Sequence, residues 1–319
     1  MTSETTDPLI KSSKLTKDQS SKLSQLITSL PTILSQTDNP DYDEIFGHRI
    51  NTVDKPYVDE LIRNEILHKF LAADNYDIDA STERLINCLN WRNEFQPLSA
   101  AFEEKYDSEL NELGVITNFK ESKLNKVTTW NLYGNLKNPK KIFEKFGGNK
   151  SVDLPGSQFL RWRVGLMEKS LQLIDFTSSD GENKIAQVHD YNNVSMFRID
   201  PGMKQATKEI ISIFGENYPE LLSTKFFINV PLLMGWVFTF FKTLGIISAE
   251  TLKKFQVLNH GDLSEFFNVS ELPKQYGGKV DKTLFAIDIE DNVELSEYGQ
   301  VILKKIGDEE IKHINDEVE

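Results

Sequence analysis

The sequence predicts a mixed α/β fold: an N-terminal helical module followed by a largely parallel sheet. Three observations predict it. The run from Ile185 to Pro231 reads strand, helix, strand, and such a βαβ unit implies parallel strands with a covered sheet. The block from Val58 to Phe95 has apolar residues at helical spacing. The 319 residues are 39% hydrophobic and 10% aromatic, ample for a sizeable core.

The same totals exclude several classes. Net charge is −13, from 36 basic and 49 acidic residues, which argues against nucleic-acid binding, since that needs a basic footprint. It argues equally against permanent adhesion to anionic membranes, though a local basic patch could still touch them. The single cysteine, Cys88, excludes an intrachain disulfide and a cysteine-rich zinc site, and a reducing, cytosolic setting follows. The opening Met1-Thr2-Ser3-Glu4-Thr5 shows no signal peptide. The apolar run from Val230 to Phe241 is too short to span a bilayer.

In chain order, residues 1 to 20 are polar, lack periodicity and read as a disordered tail. Leu23, Leu26, Ile27 and Leu30 mark a short helix before Pro31, and residues 36–44 are turn-like. Leu61, Ile62, Ile66, Phe70 and Leu71 share one helical face. Asp79-Ala80-Ser81 could cap a next helix carrying Leu85, Ile86, Leu89 and Trp91, and Cys88 on that helix reads as a buried structural thiol. The texture changes near Gly114. Val127 to Tyr133 is β-branched and aromatic, hence a strand. Phe159 to Phe176 is helical, with Phe159, Trp162, Leu166, Ser170 and Leu173 in step and Arg161 and Arg163 upon it. The βαβ unit follows: a strand from Ile185 to Tyr191, a turn at Asn192-Asn193, the apolar Val194 to Phe197, a helix from Met203 to Tyr218, and a strand from Lys225 to Val230 that Pro231 ends. Leu232–Leu244 is an apolar helix, by pattern either core or a movable lid. Leu252 to Leu258 leads from a helix end into a short strand, Gly277-Gly278 is a turn, and the polar extension after residue 285 holds a late helix.

Motifs of known catalysis are missing. None of the five histidines sits in a His-Glu-x-x-His pattern, and there is neither a Gly-x-Ser-x-Gly elbow nor a phosphate-cradling Gly-x-x-x-x-Gly-Lys. The chemical lead is instead Gln187-Val188-His189-Asp190-Tyr191. Residues two apart on a strand share a face, so His189 and Tyr191 point one way and Asp190 the other.

Three motifs carry a resemblance. Tyr218-Pro219-Glu220, shortly before Lys225-Phe226-Phe227-Ile228-Asn229-Val230-Pro231, resembles the central signature of the CRAL-TRIO lipid-transfer family, which includes the fungal phosphatidylinositol transfer proteins. Lys69-Phe70-Leu71 with Asn90-Trp91-Arg92 resembles its N-terminal module. Leu272-Pro273-Lys274-Gln275-Tyr276-Gly277-Gly278 resembles its closing motif. The match spans about residues 55 to 280. The resemblance implies a non-enzymatic carrier whose sheet and helices enclose an apolar pocket, gated by Leu232–Leu244. It implies residues 1–44 as a disordered or partly helical tail, 45–104 as the helical module, 105–285 as the ligand-binding domain and 286–319 as an extension. Glu220 and Lys254 match positions for the phosphatidylinositol headgroup. The family's basic Phe-Leu-Arg-Ala-Arg stretch reads Phe70-Leu71-Ala72-Ala73-Asp74, a loss of two positive charges. The expected setting is cytoplasmic, with transient surface contact and peripheral association with endoplasmic reticulum or microsomal membranes.

Gln187 to Tyr191, together with Arg161-Trp162-Arg163-Val164-Gly165-Leu166-Met167-Glu168, resembles the fungal branch of the family associated with haem b. That implies Tyr191 as the iron ligand, since a Tyr oxygen is a recognised axial donor. His189 lies about 7 Å from it along the strand, so the two cannot sit trans across one iron, and His189 becomes a neighbour that tunes the ligand. Arg163 and Lys225 are expected to meet the two propionates, with Tyr133 completing the wall. The plainer reading makes Arg163 and Lys225 structural ion pairs in a carrier without haem. A haem-dependent, peroxidase-like enzyme is a third reading, and with His189 as the only evident distal acid–base group it is the weakest.

Overall fold

The computed structural model describes residues 7–136, 139–147, 155–194, 201–230 and 252–318. The polar opening departs from the expected tail from residue 7 onward. The backbone amides of Lys11 and Ser12 donate to the Glu65 carboxylate at 2.6 and 2.8 Å, and Ser12 Oγ donates to its second oxygen. Glu65 is fully buried, and these donors satisfy its carboxylate oxygens. Thr16 and Gln19 then form a reciprocal capping box for helix α1, Lys17–Thr28. With α2, Leu30–Ser35, it adds Leu23, Leu26, Leu30 and Ile33 to the main core.

A hairpin of β1, Glu44–Ile45, and β2, His48–Arg49, precedes α3, Glu60–Ala73, and α4, Ile78–Phe95. Asn75 and Tyr76, both at positive φ, break the helical block in two. The cap of α4 is Asp77, whose side chain accepts from the Ala80 amide, so the helix begins before the Asp79–Ser81 position read from sequence. Cys88 is buried in α4, and burial pushes its thiol up to about 12, which makes it inert. Short helices α5, Pro97–Phe102, and α6, Ser108–Asn111, lead into the sheet.

The sheet has five strands: β3 Gly114–Asn118, β4 Val127–Leu132, β5 Ile185–Asp190, β6 Leu222–Ile228 and β7 Phe255–Val257, in that spatial order. β3 runs antiparallel to β4, and every other pairing is parallel. This is the mixed, largely parallel sheet that the sequence predicts. Every residue of β4 and β5 is buried, as in a sheet covered on both faces. One face, with Trp130, Ala186, Val188, Phe226 and Ile228, packs on Leu263, Phe267, Leu272 and Tyr276. Gly277 there has φ 86°, and a Cβ on Gly278 would lie 1.7 Å from the Leu272 carbonyl oxygen, so the closing motif demands both glycines. The opposite face looks toward α7 Pro139–Phe146, α8 Gln158–Leu171 and α9 Pro201–Asn217. The last helix, α10, Glu297–Val318, returns to the N-terminal core through Tyr298 and Ile302. Leu232–Leu244, the lid of the sequence reading, lies outside the described residues, as do Ser195 to Phe197.

Candidate functional site: an inner cavity and an outer cation cleft

Strand register builds the inner cavity. Asn131 of β4 pairs with His189 of β5, which pairs with Phe227 of β6, so all three stand on the helix-covered face. Tyr191 lies one residue beyond β5, yet its amide still bonds the Ile228 carbonyl at 3.1 Å and keeps the alternation. Tyr133 caps the end of β4. The Tyr133 and Tyr191 rings are 5.3 Å apart, and the His189 ring lies 5.6 Å from Tyr133 and 5.2 Å from Phe227. α8 brings in Arg163, and β6 brings in Lys225 beside Gln187. The cavity thus gathers Tyr133, Arg163, His189, Tyr191 and Lys225, all five residues read from sequence. Ile210, Ile211 and Phe214 of α9 close it and leave a volume of about 50 Å³, room for a few waters.

Its electrostatics are unusual. Arg163 is 2% exposed, yet its Nε and Nη1 have no partner among the described residues. Among the described residues the guanidinium meets the Tyr133 hydroxyl and the face of Phe214, 5.5 Å from the ring centre. Lys225 Nζ lies over Phe227 and Phe255, at 5.6 and 5.8 Å, and no described carboxylate pairs with it. Burial, and next the Arg163 charge, lower its pKa to about 7. The plainer reading of Arg163 and Lys225 as structural ion pairs is therefore not what the described residues form. His189 Nδ1 faces the Tyr133 hydroxyl at 3.3 Å, while its buried Nε2 has no partner among the described residues. Burial, followed by the charges of Lys225 and Arg163, holds His189 well below the usual histidine range, so the ring is neutral. Burial raises the Tyr191 phenol well above its ordinary value. The neighbouring Arg161 is different: it pairs with Glu104 and donates to the carbonyls of Phe95 and Pro155.

The outer cleft opens at the start of β6. Glu220 sits at φ 51°, a left-handed conformation uncommon outside glycine. This turns its carbonyl toward Lys69, whose Nζ donates to it at 3.2 Å and to the Asn183 carbonyl at 3.0 Å. The Glu220 carboxylate meets Lys254 at 3.3 Å and Lys184 at 3.8 Å. Glu220 and Lys254 are thus brought together as the sequence predicts. Lys69 and Lys184 were not singled out as site residues, although Lys69 belongs to a quoted motif. Lys184 carries no sequence signal, because only the fold brings the residue before β5 to Glu220. The cleft has a volume of about 290 Å³ and is also lined by Ser12, Ser13, His68, Ser223 and Thr224. Burial, and then the charge of Lys184, lower Lys69 to about 7. Ala72, one of the positions where the family's arginines are missing, faces this cleft. Lys69 and Lys184 line the same cleft and place positive charge there.

A model of the CRAL/TRIO domain matches residues 138–278. A Candida albicans protein named phosphatidylinositol transfer protein SFH5 is 78% identical over 311 residues, covering 97% of each chain. A Saccharomyces cerevisiae protein of the same name is 40% identical over 274 residues, covering 83% of this chain and 88% of its own. Among solved structures, the crystal structure of Sfh5 aligns with a TM-score of 0.83 at 37% identity, covering 93% of this chain and 99% of that one.

Proposed function

The chain belongs to the CRAL/TRIO domain family, and from that premise we propose that it is a phosphatidylinositol transfer-type carrier that holds haem b in its inner cavity. The carrier half is supported by the names of the relatives and by the Glu220–Lys254 pair in the cleft. Lys254 offers charge to a phosphate, and Glu220 can accept from inositol hydroxyls. Replacing both by Ala is expected to lower phosphatidylinositol transfer between vesicles, and full transfer by the folded double variant would remove them from the site. Membrane contact in this reading is transient. Among the described residues no helix is long and apolar enough to cross a bilayer.

The haem half rests on one observation: a buried arginine with two nitrogens that have no partner among the described residues, beside His189 and Tyr191. An unpaired buried cation is costly, and an anionic ligand would offset it. A Tyr oxygen beside a neutral His is a donor set that a haem iron can take. When bound, haem would supply a redox-active iron. Tyr191 would furnish an oxygen ligand, with the iron's charge favouring the phenolate against the burial that raises its pKa. His189 would orient that oxygen, Arg163 and Lys225 would meet the propionates, and Tyr133 would hold His189 in place. The cavity that the described residues enclose, about 50 Å³, is smaller than a porphyrin, so haem binding requires it to widen.

The test is the visible spectrum and haem-to-protein ratio of the wild type and two variants. Tyr191→Phe removes one oxygen and should leave a folded protein with little or no haem. His189→Ala should change the spectrum or lower the ratio without abolishing binding. Full occupancy and an unchanged spectrum in Tyr191→Phe would overturn the axial assignment, and loss of haem in His189→Ala alone would exchange the two roles. Turnover with peroxide would favour an enzymatic reading.

A further inference from the structure

We propose that Ser12 is a phosphorylation site that acts as a latch: phosphate on its hydroxyl frees the N-terminal strap, residues 7–15, from α3. The latch is independent of what the inner cavity and the outer cleft bind.

The strap hangs on two buried polar side chains near the start of α3. Glu65 is fully buried, and every hydrogen bond that the described residues give its carboxylate comes from the strap. The Lys11 and Ser12 amides donate to one oxygen and the Ser12 hydroxyl to the other. Asn64 is fully buried too. Its oxygen accepts from Arg63, and its Nδ2 donates to the Leu9 carbonyl at 2.9 Å. Ser20 Oγ donates to Asp7 at 2.8 Å, and Ile10 and Leu15 rest half-buried on the main core. Among the described residues no backbone–backbone hydrogen bond ties residues 7–15 to the rest of the chain. A terminal segment held by so few bonds opens locally while the domain stays folded.

The hydroxyl of Ser12 is the point of control because it is a donor aimed at a buried acid. Phosphate replaces it with a group of charge about −1.5 to −2 whose oxygens are strong acceptors. Against Glu65 that group meets a like charge and loses the donated bond, which drives the segment out. Lys69, one helical turn on, does not offset this: its ammonium donates to the Asn183 and Glu220 carbonyls. In the transfer, the γ-phosphoryl group of a nucleoside triphosphate passes to Ser12 Oγ. The P–O bond to the departing nucleoside diphosphate breaks, and the hydroxyl proton goes to the catalytic base of a protein kinase. Ser12 is half-buried between exposed Lys11 and Ser13, so the kinase takes the opened strap and the phosphate bars its return. Ser12 and Ser13 also line the outer cleft, and release of the strap removes that part of its wall.

The test is hydrogen exchange of the Lys11 and Ser12 amides in the full chain, read as protection relative to an unstructured peptide of the same sequence and modification. The chain phosphorylated at Ser12 is expected to lose about tenfold or more of that protection, the worth of one contact to a charged group, while α4 amides exchange as in wild type. Ser12→Ala drops the hydroxyl donor but keeps both amides, and should lose about threefold. In Glu65→Gln the like charge is gone, so phosphorylation of Ser12 should change protection by about threefold or less. Phosphate on the exposed Ser13 should leave protection as in wild type. Wild-type amides as unprotected as the peptide's, protection unchanged or raised by phosphate on Ser12, or an equal loss in Glu65→Gln would overturn the latch. Phosphopeptide mapping of the protein from its native cells is expected to find phosphate on Ser12. Phosphate on Ser13 or Thr16 alone, or on none of the three, would overturn the assignment of the site.

Discussion

Two buried arginines, one at each of two regions that share α8, divide the molecule by purpose. Arg92 of α4 is fully buried between two carboxylates. Its Nε and Nη2 donate to Glu44 at 3.1 and 2.9 Å, and its Nη1 and Nη2 donate to Glu168 of α8 at 2.7 and 3.1 Å. Tyr42 and Tyr218 complete the cluster by donating to Glu44 and Glu168 at 2.7 and 2.6 Å. Arg163, on the same helix as Glu168, is almost equally buried and meets no carboxylate among the described residues. The first region supplies both halves of its ion cluster from its own chain and so joins the hairpin, α4, α8 and the Tyr-Pro-Glu segment. The second holds one half and is suited to receive the other from a ligand. Burial alone therefore does not mark a functional charge; burial without an internal partner does.

The comparison breaks most sharply at Arg92. Arg92→Met strands two carboxylates in the core and is expected to cost about 3–5 kcal/mol, read as a fall in the urea midpoint. Arg163→Met should do the opposite in the haem-free protein, because it removes a cation that has no carboxylate partner among the described residues. Its unfolding midpoint should hold or rise, by up to about 1–2 kcal/mol in stability, while haem retention falls. If both variants lose stability alike, Arg163 is a structural residue and the contrast fails.

These two arginines also show how far the sequence could be read. The pairing of His189 with Tyr191 was legible because its logic is local, whereas Arg163, Lys225 and Tyr133 were named through the family resemblance. A strand has period two, so His189 and Tyr191 had to share a face, and Arg163 lay on a visibly helical run. The parallel sheet was legible from the βαβ unit for the same reason. Arg92 appeared only as part of Asn90-Trp91-Arg92, since its partners lie 48 residues before it and 76 after. Lys184 was invisible likewise, being one more lysine beside a strand until β6 is laid against β5. Strand β3 escaped because Gly114–Asn118 is short and begins with glycine, and its identity comes from pairing with β4. The order in residues 7–16 escaped because it depends on Glu65, a residue that sits in the middle of a distant helix.

The smallest expected effect distinguishes the two cations of the inner cavity by pH. Arg163 keeps its charge throughout the accessible range, but Lys225 titrates near 7 in the folded protein against 10.5 when unfolded. Between those values the unfolded chain binds the extra proton, so the contribution of Lys225 to stability rises with pH. Below pH 7 both states carry the proton, and the folded state bears the full cost of burying it. Above 10.5 neither does, and the cost is gone. Lys69, also lowered to about 7, has the same sign, so wild type alone does not isolate Lys225. The difference between wild type and Lys225→Met does. The variant should be the more stable near pH 6–7, and its advantage should shrink steadily toward pH 10. His189 stays neutral in the folded protein across that range, but the unfolded chain takes up a proton there below about pH 7, a slope that wild type and Lys225→Met share and that cancels in their difference. Arg163→Met should reduce the effect, because the Arg163 charge is the second cause of the lowered value. Haem-free wild type and Lys225→Met giving parallel stability curves from pH 6 to 10 would show that Lys225 is solvated, and Arg163 would then be the sole uncompensated cation of the cavity among the described residues.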